Sequence, residues 1–128
     1  MSRRSSLGAV LGLGSAKEGV GHWWAQRISA VALIPLGLWL LFSIAMLVGS
    51  DNSDFLGVTD WIAAPFNAVL IILFIGTVTY HSTLGVQVVI EDYVHGALKV
   101  VSLVLQKFAH IVVAAVGIFS VLRIALGS

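Results

Sequence analysis

The stretch ISAVALIPLGLWLLFSIAMLVGS, residues 28–50, contains no charged side chain. A helix needs about 20 apolar residues to cross the hydrocarbon core of a bilayer, so this segment is long enough to span one. The pattern repeats along the chain. Residues 61–90 are also free of Asp, Glu, Lys and Arg, and a third apolar region runs from Val100 to Leu122 with Lys107 as its one charge. The part beyond Lys107 is too short for a full crossing. The third span is therefore expected to begin before it, with the amine snorkelling toward headgroups. The competing arrangement is two spans plus a peripheral helix, in which residues 97–107 form an interfacial turn.

Composition agrees with a membrane protein. Of 128 residues, 59% are hydrophobic and 10% are charged, whereas a soluble domain carries about 25% charged residues. The net charge is +1 and no basic stripe exists, which argues against a nucleic-acid partner. Cysteine is absent, so disulfides, zinc–cysteine sites and cysteine-held iron–sulfur clusters are excluded from this chain. The first 27 residues lack the continuous apolar core of a secretory signal, and the glycine-rich segment 8–17 lacks phosphate-loop spacing.

The expected fold class is an all-α membrane protein with three transmembrane helices, packed with a partner subunit because three helices enclose little by themselves. Its expected segments are an N-terminal arm and interfacial stretch (1–27), spans at 28–50, 61–90 and 100–124, and loops at 51–60 and 91–99. Arg3, Arg4, Lys17 and Arg27 stand against Glu18 before the first span, whereas Asp51, Asp54 and Asp60 follow it without any Lys or Arg. The positive-inside rule then puts the N-terminus in the cytoplasm and the acidic loop outside. Loop 91–99 returns to the cytoplasm, and the C-terminus lies outside. Trp23, Trp24 and Trp61 sit at span boundaries as interfacial anchors do.

Ionisable groups at membrane depth are functional candidates, because lipid solvates them poorly. His81 lies well inside the second span; it suits either haem-iron ligation through a neutral imidazole or a hydrogen bond to a neighbouring helix. Gly85 and Thr77, four residues to either side, share its helical face. Asp92 follows His81 by eleven residues, within about 20° of the same face if the helix persists. Tyr93 next to it can donate a hydrogen bond to a quinone carbonyl, although Glu91-Asp92-Tyr93 also reads as an ordinary interfacial helix end. At the start of the first span, Arg27 offers a donor fork suited to carboxylates, or a simple positive-inside anchor. His22 and Gln26 share one face there, and Ser29 reads chiefly as a packing residue. His110 in the third span is a rival ligand, and His95 belongs to a loop.

The segment His22-Trp23-Trp24-Ala25-Gln26-Arg27-Ile28-Ser29-Ala30, followed by His81-x3-Gly85-x-Gln87-x-x-Ile90-Glu91-Asp92-Tyr93-Val94-His95, resembles the hydrophobic membrane anchor subunit of succinate dehydrogenase, SdhD, as found in proteobacteria. The likeness covers nearly the whole chain. It implies a multi-pass subunit of succinate:ubiquinone oxidoreductase in the bacterial inner membrane that does not oxidise succinate alone. It also implies a haem b held jointly with the companion cytochrome b-type anchor SdhC, and ubiquinone as the substrate at a nearby site. FAD and iron–sulfur clusters are expected only on the flavoprotein SdhA and the iron–sulfur subunit SdhB. By motif, His81 corresponds to the axial iron ligand and Tyr93 to the quinone hydrogen-bond donor, with Asp92 beside it in the proton network. Arg27 corresponds to a propionate or quinone contact, with His22 nearby. Lys107 and His110 match no motif residue. The alternatives are an anchor of fumarate reductase or another respiratory cytochrome b complex, and a non-enzymatic membrane assembly protein.

Overall fold

The computed structural model describes residues 14–127, with side-chain surroundings from residue 19 onward; Arg3 and Arg4 therefore lie outside the described residues. Four helices follow one another: α1 (Gly14–Val48), α2 (Phe55–Ala63), α3 (Pro65–Tyr93) and α4 (Ala97–Ala125). Among the described residues there is no strand. Three of the helices, over Gly19–Val48, Pro65–Tyr93 and Ala97–Ala125, are long and apolar enough to cross a membrane. Each exceeds the roughly 30 Å of hydrocarbon that a span must cover at about 1.5 Å per residue.

The first helix starts earlier than the charge pattern alone suggests. It takes in His22 to Arg27 as helical residues and runs unbroken through Pro35. Helix α4 passes through Lys107 without interruption, so the third span does begin before that lysine.

The charge-free stretch 61–90 is divided, in contrast to its reading as one span. Residues Trp61–Ala63 close the short helix α2, and a new helix opens at Pro65. The reason is local. Pro65 has no N–H to donate and holds Ala64 extended, at φ −59° and ψ 126°, which stops one helix and makes a good first residue for the next. Asn67 Nδ2 donates to the Trp61 carbonyl at 2.9 Å, satisfying an acceptor that the break leaves open. At the other end of α2, the Asp54 carboxylate caps by accepting from the Gly57 N–H at 2.8 Å.

Helix α3 is the centre of the bundle. Both α1 and α4 pack along it, and α2 lies against α3 and α4. Near the α2–α3 break, the Trp39 ring stacks on Trp61 (centroids 6.1 Å apart) and meets Phe66 edge-on, tying α1 to the junction. Between α3 and α4 only residues 94–96 are non-helical. Gly96, at φ 71° and ψ −151°, makes that reversal possible because a side chain is rarely tolerated in this region of backbone space. Hydroxyls inside the spans are satisfied locally. Thr79, Thr83 and Ser120 each donate to the carbonyl four residues back, as apolar surroundings require.

Candidate functional site

His81 sits on the face of α3 that meets α1, and both of its ring nitrogens have neighbours there. The Ser29 Oγ is 2.9 Å from Nδ1, and the Gln26 Nε2 is 3.5 Å from Nε2. Ser29 is buried, at 5% exposure, and its hydroxyl also donates to the Gln26 carbonyl at 2.9 Å. One turn of α1 thus cradles one imidazole. Gly85, one turn along α3 from His81, is close to the same amide: a Cβ there would stand 3.7 Å from Gln26 Nε2.

These residues open onto a groove of about 690 Å³ between α1 and α3. His81 and Gly85 line it from α3, and His22, Trp23, Gln26 and Arg27 from α1. Four polar or aromatic positions of the first helix, in two adjacent pairs, thus line the groove with the histidine, although helical spacing assigns them to two faces. The Arg27 guanidinium lies over the Trp23 ring, 5.3 Å from its centroid, which holds the cation at the rim. His22 Nε2 and Gln26 Oε1 are buried without a hydrogen-bond partner. Buried polar atoms of this kind call for a partner, and among the described residues they have none. Thr77, expected on the His81 face, instead lines a separate groove of about 780 Å³ with Trp24, Ile28, Gly76 and Tyr80.

The rival histidine is engaged differently. His110 Nδ1 lies 2.7 Å from the Gln106 carbonyl, so it carries the proton and donates. Nε2 must then accept, and the Ser82 hydroxyl donates to it at 2.9 Å. With both nitrogens bonded, His110 fastens α4 to α3. His95 is exposed in the 94–96 link. Among the described residues, no three His, Cys, Asp or Glu side chains gather as a metal cluster.

Helix α3 continues as far as Tyr93, which meets the condition for Asp92 to align with His81. The eleven-residue separation places Asp92 about 16–17 Å further along the axis. Asp92 and Tyr93 are both exposed there, Tyr93 to 79%. The neighbouring Glu91 accepts a hydrogen bond from Gln87 Nε2 at 2.9 Å. The structure thus gathers His81, Arg27 and His22 around one groove and leaves Asp92 and Tyr93 displayed at the end of the same helix.

Comparison with known proteins decides the family. The model of the succinate dehydrogenase/fumarate reductase transmembrane subunit matches residues 1–122. The chain belongs to this family. It is 34% identical to the succinate dehydrogenase hydrophobic membrane anchor subunit of Rickettsia bellii (strain RML369-C), over 94% of this chain and 87% of that protein. It is 30% identical to the anchor subunit of Paracoccus denitrificans, over 94% and 91% of the two chains. The corresponding subunit of Reclinomonas americana is 39% identical over 71% and 77%. No solved structure matches. As a member of the succinate dehydrogenase membrane anchor family, the chain is a multi-pass membrane protein that works in a complex with other subunits of that enzyme.

Proposed function

We propose that this anchor subunit supplies His81 as one axial ligand to a haem b shared with the companion anchor SdhC. In the same reading it helps to form the ubiquinone site of succinate dehydrogenase in a bacterial inner membrane, with its N-terminus cytoplasmic. The observation that carries the proposal is the His81 groove. It combines an imidazole nitrogen directed away from its serine partner, a glycine one turn along, and cationic and unpartnered polar groups at the rim. The residues fit the group. Gly85 leaves room for a flat macrocycle beside the backbone, Arg27 suits a propionate carboxylate, and the buried His22 Nε2 lacks a partner. When bound, haem b supplies a one-electron redox centre within the membrane.

The protein's own residues then have distinct tasks. His81 would hold the iron through a ring nitrogen that carries a lone pair, the form in which imidazole acts as a ligand. Arg27 holds negative charge where the apolar run of α1 begins. Tyr93 donates a hydrogen bond to a carbonyl oxygen of ubiquinone, and Asp92 relays protons as the quinone takes up two electrons and two protons. Succinate oxidation belongs to the FAD-bearing SdhA, and the iron–sulfur clusters to SdhB; the lack of cysteine in this chain accords with that division. The family description includes fumarate reductase, but the similar anchors named above are all succinate dehydrogenase subunits, which favours the succinate-oxidising direction.

The test is purification of the assembled complex in mild detergent, identification of its subunits, and a reduced-minus-oxidised spectrum. A b-type spectrum is expected, and His81→Leu should abolish or strongly alter it. An unchanged spectrum in that variant would refute the ligand assignment.

A further inference from the structure

We infer that Ser29 is a positioning residue for His81, fixing the tautomer and plane of the imidazole so that the Nε2 lone pair is available to iron; this rests on His81 being the axial ligand. Proton bookkeeping leads there. A serine hydroxyl has one proton, and the Gln26 carbonyl 2.9 Å from Ser29 Oγ can only accept it. The second contact of the same oxygen, 2.9 Å to His81 Nδ1, must then be donated by the ring. His81 Nδ1 is therefore protonated. The other side of the ring agrees, since Gln26 Nε2 has only protons to offer and faces His81 Nε2, at a long 3.5 Å. Both contacts describe a ring with its proton on Nδ1 and its lone pair on Nε2.

Burial gives this bond its leverage. Ser29 is one of two buried polar residues among the described ones, at 5% exposure. Without it, Nδ1–H would face an apolar interface unpaired, at a cost comparable to a lost buried hydrogen bond. The ring has an escape. Gln26 Oε1 is buried without a partner close by, and the opposite tautomer could donate to it from Nε2 once the amide turns over. That tautomer has no lone pair on Nε2. Ser29 thus biases a choice between a ligating and a non-ligating imidazole. Donation from Nδ1–H to a hydroxyl oxygen also makes the ring a stronger base toward metal, which favours the oxidised iron.

The experiment compares Ser29→Ala and Ser29→Thr in the assembled complex by redox titration of the haem, electron paramagnetic resonance of its oxidised form, and the rate of haem loss. Subunit yield and succinate oxidation with an artificial acceptor serve as assembly controls. Ser29→Ala should raise the midpoint potential, change the g-values and speed haem loss about tenfold or more. Ser29→Thr keeps the hydroxyl and should restore wild-type values. Unchanged values in Ser29→Ala, or equal damage by both substitutions, would overturn the inference while His81→Leu still reports separately on the ligand itself. Nitrogen-15 shifts of His81 in the full chain in detergent, without haem, cover the case of poor assembly. Protonated Nδ1 and bare Nε2 are expected, giving way to a mixture of tautomers in Ser29→Ala; the reverse tautomer in the unsubstituted chain would refute it.

Discussion

Tyr93 and His81 stand about three turns apart on one helix and are asked for different things. In the proposed function His81 has to be held, and α1 packs against it; Tyr93 has to meet a mobile substrate, and it is exposed at the helix end. Tyr93→Phe removes one hydroxyl while keeping the ring. In the assembled complex it should lower ubiquinone reduction by about tenfold or more, the loss associated with one or two kcal/mol of hydrogen bonding. Succinate oxidation measured with an artificial acceptor should remain within twofold of wild type. Equal loss of both activities would assign Tyr93 to assembly instead. His81, Arg27, Asp92 and Tyr93 were legible in the sequence because an ionisable or phenolic group stands out against apolar neighbours. The partnership of Ser29 with His81 was not. Helical periodicity tells which residues of one helix share a face, but it says nothing about the depth and rotation of α1 against α3. Those two parameters alone bring residues 29 and 81 together, and they also bond His110 to Ser82.

At the scale of elements, the link between α3 and α4 is the most demanding. Three residues reverse the chain there, and the positive φ of Gly96 carries the turn. Gly96→Ala should cost about 1–3 kcal/mol, because a Cβ is disfavoured at that backbone conformation whatever space surrounds it. Since the turn begins directly after Tyr93, quinone reduction should fall along with the thermal midpoint of the purified complex. An unchanged midpoint would show that the link can adopt another geometry without loss. Charge-free stretches were enough to find the three long helices, since in lipid the backbone of a long apolar segment must pair with itself. They could not reveal the break at Ala64, where no charge marks the boundary. Its signal was Pro65 directly after an alanine pair, a start-of-helix mark that hydropathy averages away.

The whole molecule is open. Among the described residues only Ser29, Ala68, Gln106 and Val121 are buried, while large apolar side chains are exposed along all three long helices. Lipid and the other subunits of the complex must cover most of that surface, as expected where helices associate by close packing rather than by exclusion of water. Such a chain takes its orientation from its few charges. The acidic residues Asp51, Asp54 and Asp60 gather at the end of the bundle where α1 leads into α2, and Glu91, Asp92 and Tyr93 at the opposite turn. With Arg27 preceding the first apolar run, the orientation we propose from the positive-inside rule has the acidic end outward and the Tyr93 end in the cytoplasm. The absence of native cysteine allows a clean test. Asn52→Cys and His95→Cys each place one thiol at an exposed position in the links flanking the helices. A membrane-impermeant maleimide should label Asn52→Cys in intact cells, and His95→Cys only after the inner membrane is disrupted. The opposite pattern would invert the chain, moving the proposed quinone contacts to the outer face and away from any cytoplasmic source of electrons.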